Sequence, residues 1–424
     1  MNNKLITIIL TLIVVLSAIS ILPSSITWDY NTLKHIVLTT SGVLLFFMLL
    51  KNYKYVKIDT KDVLLFLFLG LVFASTCFSD NIKKSIIGEI NRFEGLITFI
   101  IYGSIYLCSK KIFNYKNINI FVNIMFWLSI FIGLLGISQR YVDLENLSPV
   151  FNRGICATFG NSNFYGSYIS IILPIAITFF VFRGDKKSFI LSLLMFHNMI
   201  ASGTRSAWVA FAVIALVGLI YLIKQRNKQY YKRVLILVLS FTLIFIYLYT
   251  GFGLLQNSTT RIKFNQIKND FLKATKSGLS NEMGSGRIEI WNMTLKLIAK
   301  KPILGCGPDN LMDSLIKYCP YEVLEFVTRT KVLADKAHNE YLQIAATIGI
   351  PALIVYLIFI SKILLPKLKN IFKDKVSLLL TLTIISYLTQ AFFNISTIGV
   401  APLYWMILGL SDNEDVQNKL NKIL

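Results

Sequence analysis

The stretch that decides the fold is KAHNEYLQIAATIGIPALIVYLIFI, residues 336–360. Beyond Tyr341 it is almost wholly apolar over the length a helix needs to cross a bilayer, about 20 residues. At its head stand His338, Asn339 and Glu340, and His338 is one of only 3 histidines in the chain. What an imidazole, an amide and a carboxylate do at such a mouth depends on which side of the membrane the mouth faces.

The chain of 424 residues is 55% hydrophobic and 15% charged, with mean hydropathy +0.62. Soluble proteins carry about 25% charge, so this is read as an integral membrane protein. Twelve candidate spans can be marked, at roughly 4–22, 33–50, 62–78, 93–108, 119–137, 164–182, 188–201, 206–223, 233–250, 339–360, 376–393 and 399–411. The seventh and twelfth are short. The first resembles a secretory signal, but the spans behind it favour a retained helix. The expected fold is an all-α integral membrane protein of about 12 transmembrane helices. It divides into a membrane bundle over 1–250, a long loop over 251–337, and membrane helices with a short tail over 338–424.

A net charge of +21 would suit nucleic acid, but its distribution argues otherwise. With the N-terminus cytoplasmic, 23 of the 43 Lys and Arg residues fall in inner segments, 7 in short outer loops and adjoining spans, and 13 in the loop 251–337. That is the positive-inside bias of a cytoplasmic-membrane protein. It places both termini inside, and puts the long loop and His338 on the extracytoplasmic face. No nucleic-acid partner is expected.

Five cysteines are present. Cys77 and Cys108 lie in spans. Cys156, Cys306 and Cys319 lie on the outer side, and whether Cys306 and Cys319 pair is left open. No CxxC motif or His/Cys cluster indicates a metal, and no cofactor is expected.

The loop 251–337 has helical pattern. Phe264, Ile267, Phe271 and Ala274 recur at helical spacing, SGLSNEMGSG (277–286) is a break, and Ile288, Trp291, Leu295 and Ile298 mark a second amphipathic helix ending before Pro302. LGCGPDN (304–310) reads as a tight turn with Asp309 as a helix cap. Two such helices between spans suggest a lid lying on the membrane surface.

Four polar features gather on the outer side: His338 with Asn339 and Glu340; Arg287 in GRIEIW; Arg205 in SGTRSAW; and NRGICATFGNSNFYGSY (152–168), with Arg153, Asn161 and Asn163. Each has a plain structural reading. A His at a helix start is often a cap, Arg287 could meet anionic headgroups, and the Asn/Gly segment could be only a turn. Arg205 is harder to dismiss, because a cation in an apolar stretch costs several kcal/mol (about 2.5–3.5) unless paired or hydrated. His197 reads as packed inside a span and His35 as interfacial. Apart from Glu94 and Arg205, the spans look nearly free of charge, which disfavours a transporter.

Together the four features suit one chemistry. Arginine forks match phosphate oxygens, and a neutral imidazole can take a hydroxyl proton. A base beside several phosphate clamps suits a hydroxyl attacking an anomeric carbon whose leaving group is a lipid pyrophosphate. There is no DxD and no paired carboxylate in the lid to hold Mg²⁺.

With those residues in place, the chain resembles the O-antigen ligase and polymerase superfamily of bacterial envelope glycosyltransferases over nearly its whole length, most strongly from Asn152 to Ile350. His338 and, past ten intervening residues, Gly349 fit the ligase pattern. Arg287 fits the pattern of an Arg followed by a Leu past three residues, with Trp291 in the Leu position. That departure is closer to the wider superfamily than to strict ligases. SGTRSAW resembles the family's membrane-edge Arg segment. The resemblance implies a metal-independent transfer from an undecaprenyl-pyrophosphate-linked glycan. Arg205 and Arg287 would hold the pyrophosphate, His338 would position or deprotonate the acceptor hydroxyl, and Glu340 would orient His338 or the lid. The acceptor would be a glycan, lipid, protein or wall hydroxyl, in cell-surface polysaccharide biosynthesis. A polymerase extending the lipid-linked chain, and a flippase for such lipids, remain the alternatives.

Overall fold

The computed structural model describes residues 3–20, 30–52, 57–142, 154–250, 261–266, 268, 269, 272 and 286–424. Among these residues the regular structure is helical, without strands. Helices occur at all twelve expected positions. Seven are long and apolar enough to cross a membrane: Thr32–Lys51, Thr60–Cys77, Tyr115–Tyr141, Ser162–Arg183, Arg205–Gln225, Lys228–Thr250 and Ile350–Asn370. Shorter apolar helices run over Lys4–Ile19, Lys375–Ala391 and Ala401–Leu410.

Polar side chains set the helix starts. Asp59 and Asp62 form a capping box before Thr60–Cys77. Asn161, Asp185 and Asp374 each accept a first-turn N–H, satisfying donors that helices leave open. Ser162–Arg183 is central and packs on Lys186–Ala201, Arg205–Gln225 and Lys375–Ala391. Ala401–Leu410 packs on Leu96–Lys111, and Ile350–Asn370 on Thr60–Cys77.

The expected tenth span is corrected. The apolar run from Tyr341 breaks into Glu340–Thr347 and Ile350–Asn370. Gly349, at φ +110°, makes the break. A Cβ there would lie 2.0 Å from the Ile303 carbonyl oxygen, so only glycine permits this approach. The turn 302–307 is stitched across it: Ile350 N–H donates to Pro302 O (2.8 Å), Cys306 N–H to Ala346 O (3.0 Å) and Gly307 N–H to Thr347 O (2.8 Å). Ala345 and Ala346 leave the membrane bundle for a second small core with Ile290, Met293, Leu297, Leu311, Leu315 and Phe326. His338 therefore stands one short helix away from the membrane-length helix.

That second core belongs to the loop helices Arg287–Lys300, Leu311–Tyr318 and Pro320–Thr330. In the first of them the buried face is Ile290, Met293, Leu297 and Ile298. The expected stripe is corrected, since Leu295 is 51% exposed. The expected helix at 264–274 is helical in the part described, and the break 277–285 lies outside the described residues. Asp309 is not a cap either. Its carboxylate accepts from the N–H groups of Glu89 and Glu94, both at 2.9 Å. All five cysteines are free.

Charges other than Glu94 and Arg205 are buried in or at the ends of the membrane helices, which corrects the reading of nearly charge-free spans. Lys34 is fully buried and donates to the carbonyls of Ser17 (3.0 Å) and Ala18 (3.2 Å). Asp62 and Lys110 pair at 2.7 Å.

Candidate functional site

Asn339 caps Glu340–Thr347, accepting from the N–H groups of Tyr341 and Leu342 at 3.0 Å. His338 precedes the cap and has φ +50°, an uncommon conformation for a residue with a Cβ. Anchors on either side hold it there. Asp335 accepts from Arg92 Nε (2.8 Å) and Nη2 (2.5 Å). Buried Lys336 pairs with Asp309 and, at 3.7 Å, with Glu94. Ala337 N–H donates to Gln343 Oε1 at 2.9 Å. Held this way, the half-buried His338 has a buried Nδ1 with no hydrogen-bond partner.

Arg205 is the first residue of its helix, behind Thr204. The Thr204 hydroxyl donates to Ser162 O at 2.8 Å, which joins this helix start to the GNSN segment. Arg287 is the first residue of the loop helix Arg287–Lys300. Burial, and after it the Arg205 guanidinium, pushes Arg287 down to about 10. Burial, and after it Arg287, pushes His338 down to about 4. Asp335 opposes that shift, and Arg92 and Lys336 add to it. A charge shifts a neighbour's protonation only at short range. Arg205 thus lies within electrostatic reach of Arg287, and Arg287 within reach of His338, although the three come from separate segments.

The other expected residues divide. Arg153 lies outside the described residues. The Asn161 side chain accepts from Asn163 N–H at 2.8 Å and so caps a helix. The Asn163 carbonyl accepts from Asn394 Nδ2 at 2.9 Å. The expectation that Glu340 orients His338 is corrected. Its carboxylate turns into the protein, accepting from the hydroxyls of Tyr356 (3.2 Å) and Tyr387 (3.1 Å). Trp291 packs edge-on to Phe392, with centroids 5.6 Å apart, and beside Phe393 at 6.3 Å. It thereby docks the loop helix on the segment after Lys375–Ala391. Gly349 serves the turn already described. Among the described residues no group of three or more His, Cys, Asp or Glu could hold a metal ion.

Sequence reasoning missed Arg92, Asp309, Asp335 and Lys336 as parts of this site. Their pairings span 243 and 27 residues. Only the Asp335–Lys336 dipeptide beside His338 hinted at them.

Two guanidiniums within electrostatic reach of one another favour an anion beside them. An imidazole kept neutral can accept a hydrogen bond from a hydroxyl. Residues 190–357 match the family described as O-Antigen ligase. A stretch of 238 residues is 28% identical to the ComP-specific O-oligosaccharyltransferase of Acinetobacter baylyi. That similarity covers 52% of this chain and 40% of the relative's length. Over these stretches the chain is similar to the O-antigen ligase family and to an O-oligosaccharyltransferase. The family match contains Arg205, Arg287, Trp291, His338, Glu340 and Gly349, whereas Arg153, Asn161 and Asn163 fall before it.

Proposed function

With the O-antigen ligase superfamily as premise, we propose that this protein transfers an oligo- or polysaccharide from undecaprenyl pyrophosphate to an acceptor hydroxyl on the outer face of the cytoplasmic membrane. The observation that carries this reading is the chain of electrostatic influence from Arg205 to Arg287 and from Arg287 to a neutral His338. The 23-to-7 split of basic residues supports the outer-face assignment and cytoplasmic termini.

In the reaction the acceptor oxygen bonds to the anomeric carbon as that carbon's bond to the pyrophosphate oxygen breaks. The electron pair leaves on the pyrophosphate, whose negative charge rises by one. Arg205 and Arg287 face that charge as it develops. The hydroxyl proton passes to the His338 imidazole, which first orients the hydroxyl. A pKa near 4 makes a weak base. An anionic donor seated against Arg287 offsets the cationic field, so the imidazole gains basicity when the donor is bound.

The test uses the purified full-length chain in nanodiscs, an undecaprenyl-pyrophosphate oligosaccharide and candidate acceptors. Released undecaprenyl pyrophosphate and glycosylated acceptor, in the presence of excess chelator, are expected. A lengthening lipid-linked glycan would assign a polymerase instead. Donor moved unchanged across a bilayer would reject the glycosyltransfer reading.

A further inference from the structure

The loop between the short helix Ile82–Ile87 and the helix Leu96–Lys111 is shaped with unusual backbone. Asn91 (φ +72°) and Phe93 (φ +56°) both bear side chains in the left-handed region, and they flank Arg92. Such strain persists only where surroundings over-determine it, and here they do. Asn31 Nδ2 donates to Asn91 O at 2.6 Å, Thr98 Oγ1 donates to Phe93 O at 2.6 Å, and the Phe93 ring stacks on His35 at 4.3 Å. The Asp309 carboxylate binds the loop's Glu89 and Glu94 N–H groups. The result presents Arg92 over the Phe164 ring, 5.4 Å from its centroid, with both Nε and Nη2 on one oxygen of Asp335. Asp335 and Lys336 lead directly into the strained His338.

We propose that Arg92 and Asp335 are the positioning pair of His338: their two-point contact pins the turn that aims the imidazole and holds one cation and one anion near it. This rests on the catalytic reading of His338 given above. The charged groups facing His338 are Arg287 from the loop helix, Arg92 from the 88–95 loop, and Asp335 and Lys336 from its own segment. Lys336 is held by Asp309 and Glu94, which leaves Arg92 and Asp335 as the adjustable opposites. Removing Arg92 takes away a cation and leaves the Asp335 carboxylate uncompensated, so both changes stabilise the imidazolium. Removing the Asp335 charge does the reverse.

The experiment is an NMR titration of the full-length protein in nanodiscs with isotope-labelled histidine. There are 3 histidine signals, and loss of one in His338→Gln assigns His338. Arg92→Gln is expected to raise the His338 titration midpoint by about 1 unit, the lower end of the range for close charges. Asp335→Asn is expected to lower it. The acid limb of the transfer rate should move with the same signs. A pair that is merely structural would reduce the rate at every pH without moving the limb. Should Arg92→Gln not fold, Arg92→Lys keeps the charge, and it should hold the midpoint while lowering kcat through loss of the two-point contact. An unmoved midpoint in both neutralising variants, or a midpoint moved in Arg92→Lys as far as in Arg92→Gln, would overturn the proposal. Titrations that move as stated in a protein without transferase activity would keep the pair and reject the function. Activity with an unmoved midpoint would do the opposite.

Discussion

The helix Leu96–Lys111 joins two ionic clusters whose separation, for 16 residues, is roughly 24 Å. At its Lys110 end the charges close on one another. Lys110 meets Asp59 (2.6 Å), Asp62 (2.7 Å) and Asp412 (3.0 Å), while Lys111 meets Asp62 (2.9 Å) and Lys61 pairs with Asp412. Three ammoniums face three carboxylates, and the Tyr106 hydroxyl donates to Asp412 at 3.1 Å. At the Glu94 end, Lys336 and Arg92 find carboxylates, while burial and the Arg205 guanidinium push Arg287 down and the buried His338 Nδ1 has no hydrogen-bond partner. A buried cluster that satisfies itself needs no ligand to explain it. One that sets like charges beside an unpartnered imidazole nitrogen is a candidate for a ligand, since perturbed groups concentrate at functional sites.

His338→Ala tests that contrast hardest. General base catalysis contributes typically about 10²–10⁴-fold, so turnover should fall by that much while the protein still inserts and binds donor. His338→Gln can orient a hydroxyl but is a very poor base. Near-normal turnover in Gln would leave His338 an orienting group, and near-normal turnover in Ala would end the catalytic reading.

Arg205→Lys and Arg287→Lys come next. Each keeps a charge and loses the planar fork. Loss of one donor to a developing oxyanion costs about 10²–10³-fold, and a retained ammonium should recover part of that. Turnover should therefore drop by about ten- to a hundredfold, more for Arg205, since Arg287 sits on a loop helix. Full turnover in both would remove the pyrophosphate clamp.

The opposite end should respond in another quantity. Lys110→Met leaves Asp62 and Asp412 buried beside too little positive charge. Breaking a buried pair from one side costs about 3–5 kcal/mol. The melting temperature in detergent should fall, while turnover per folded molecule stays within about twofold of wild type. If turnover collapses and the melting temperature does not, the two clusters are not the opposites described here.

Legibility in the sequence follows the same division. Arg205 could be read because a cation in an apolar stretch demands a reason, and His338 because a polar head interrupts an apolar run. The break at Gly349 could not, since the residues on both sides are equally apolar. Which of them joins the bilayer helix and which the loop core is decided by Ala345 and Ala346 meeting Leu297 and Leu315 in three dimensions. The loop helix was misread for a related reason. Ile288, Ile290, Trp291, Met293, Leu295, Leu297 and Ile298 are apolar around more than one face, so periodicity alone does not choose between Leu295 and Leu297. Arg92 was invisible because its partner lies 243 residues away.

The smallest effect is expected at Trp291, where this chain departs from the Leu of the ligase pattern. Two terms oppose each other there. Its ring contacts with Phe392 and Phe393 are worth about 0.5–1.5 kcal/mol each beyond burial. Its Nε1–H, however, is buried without a partner, and an unsatisfied buried donor costs about 1–3 kcal/mol. Trp291→Leu removes both terms and keeps an apolar side chain facing the Phe pair. The net change should be near zero, with the melting temperature within a few degrees and turnover within about threefold. Trp291→Ala also removes the indole's polar atom but opens a cavity, and large-to-small aromatic changes cost about 3–5 kcal/mol. That variant should loosen the loop helix from the segment after Lys375–Ala391 and lower the melting temperature clearly. A Leu variant as damaged as Ala would mean that the indole does something at the site that packing does not explain, and the line between docking residues and reacting residues would have to be redrawn to include it.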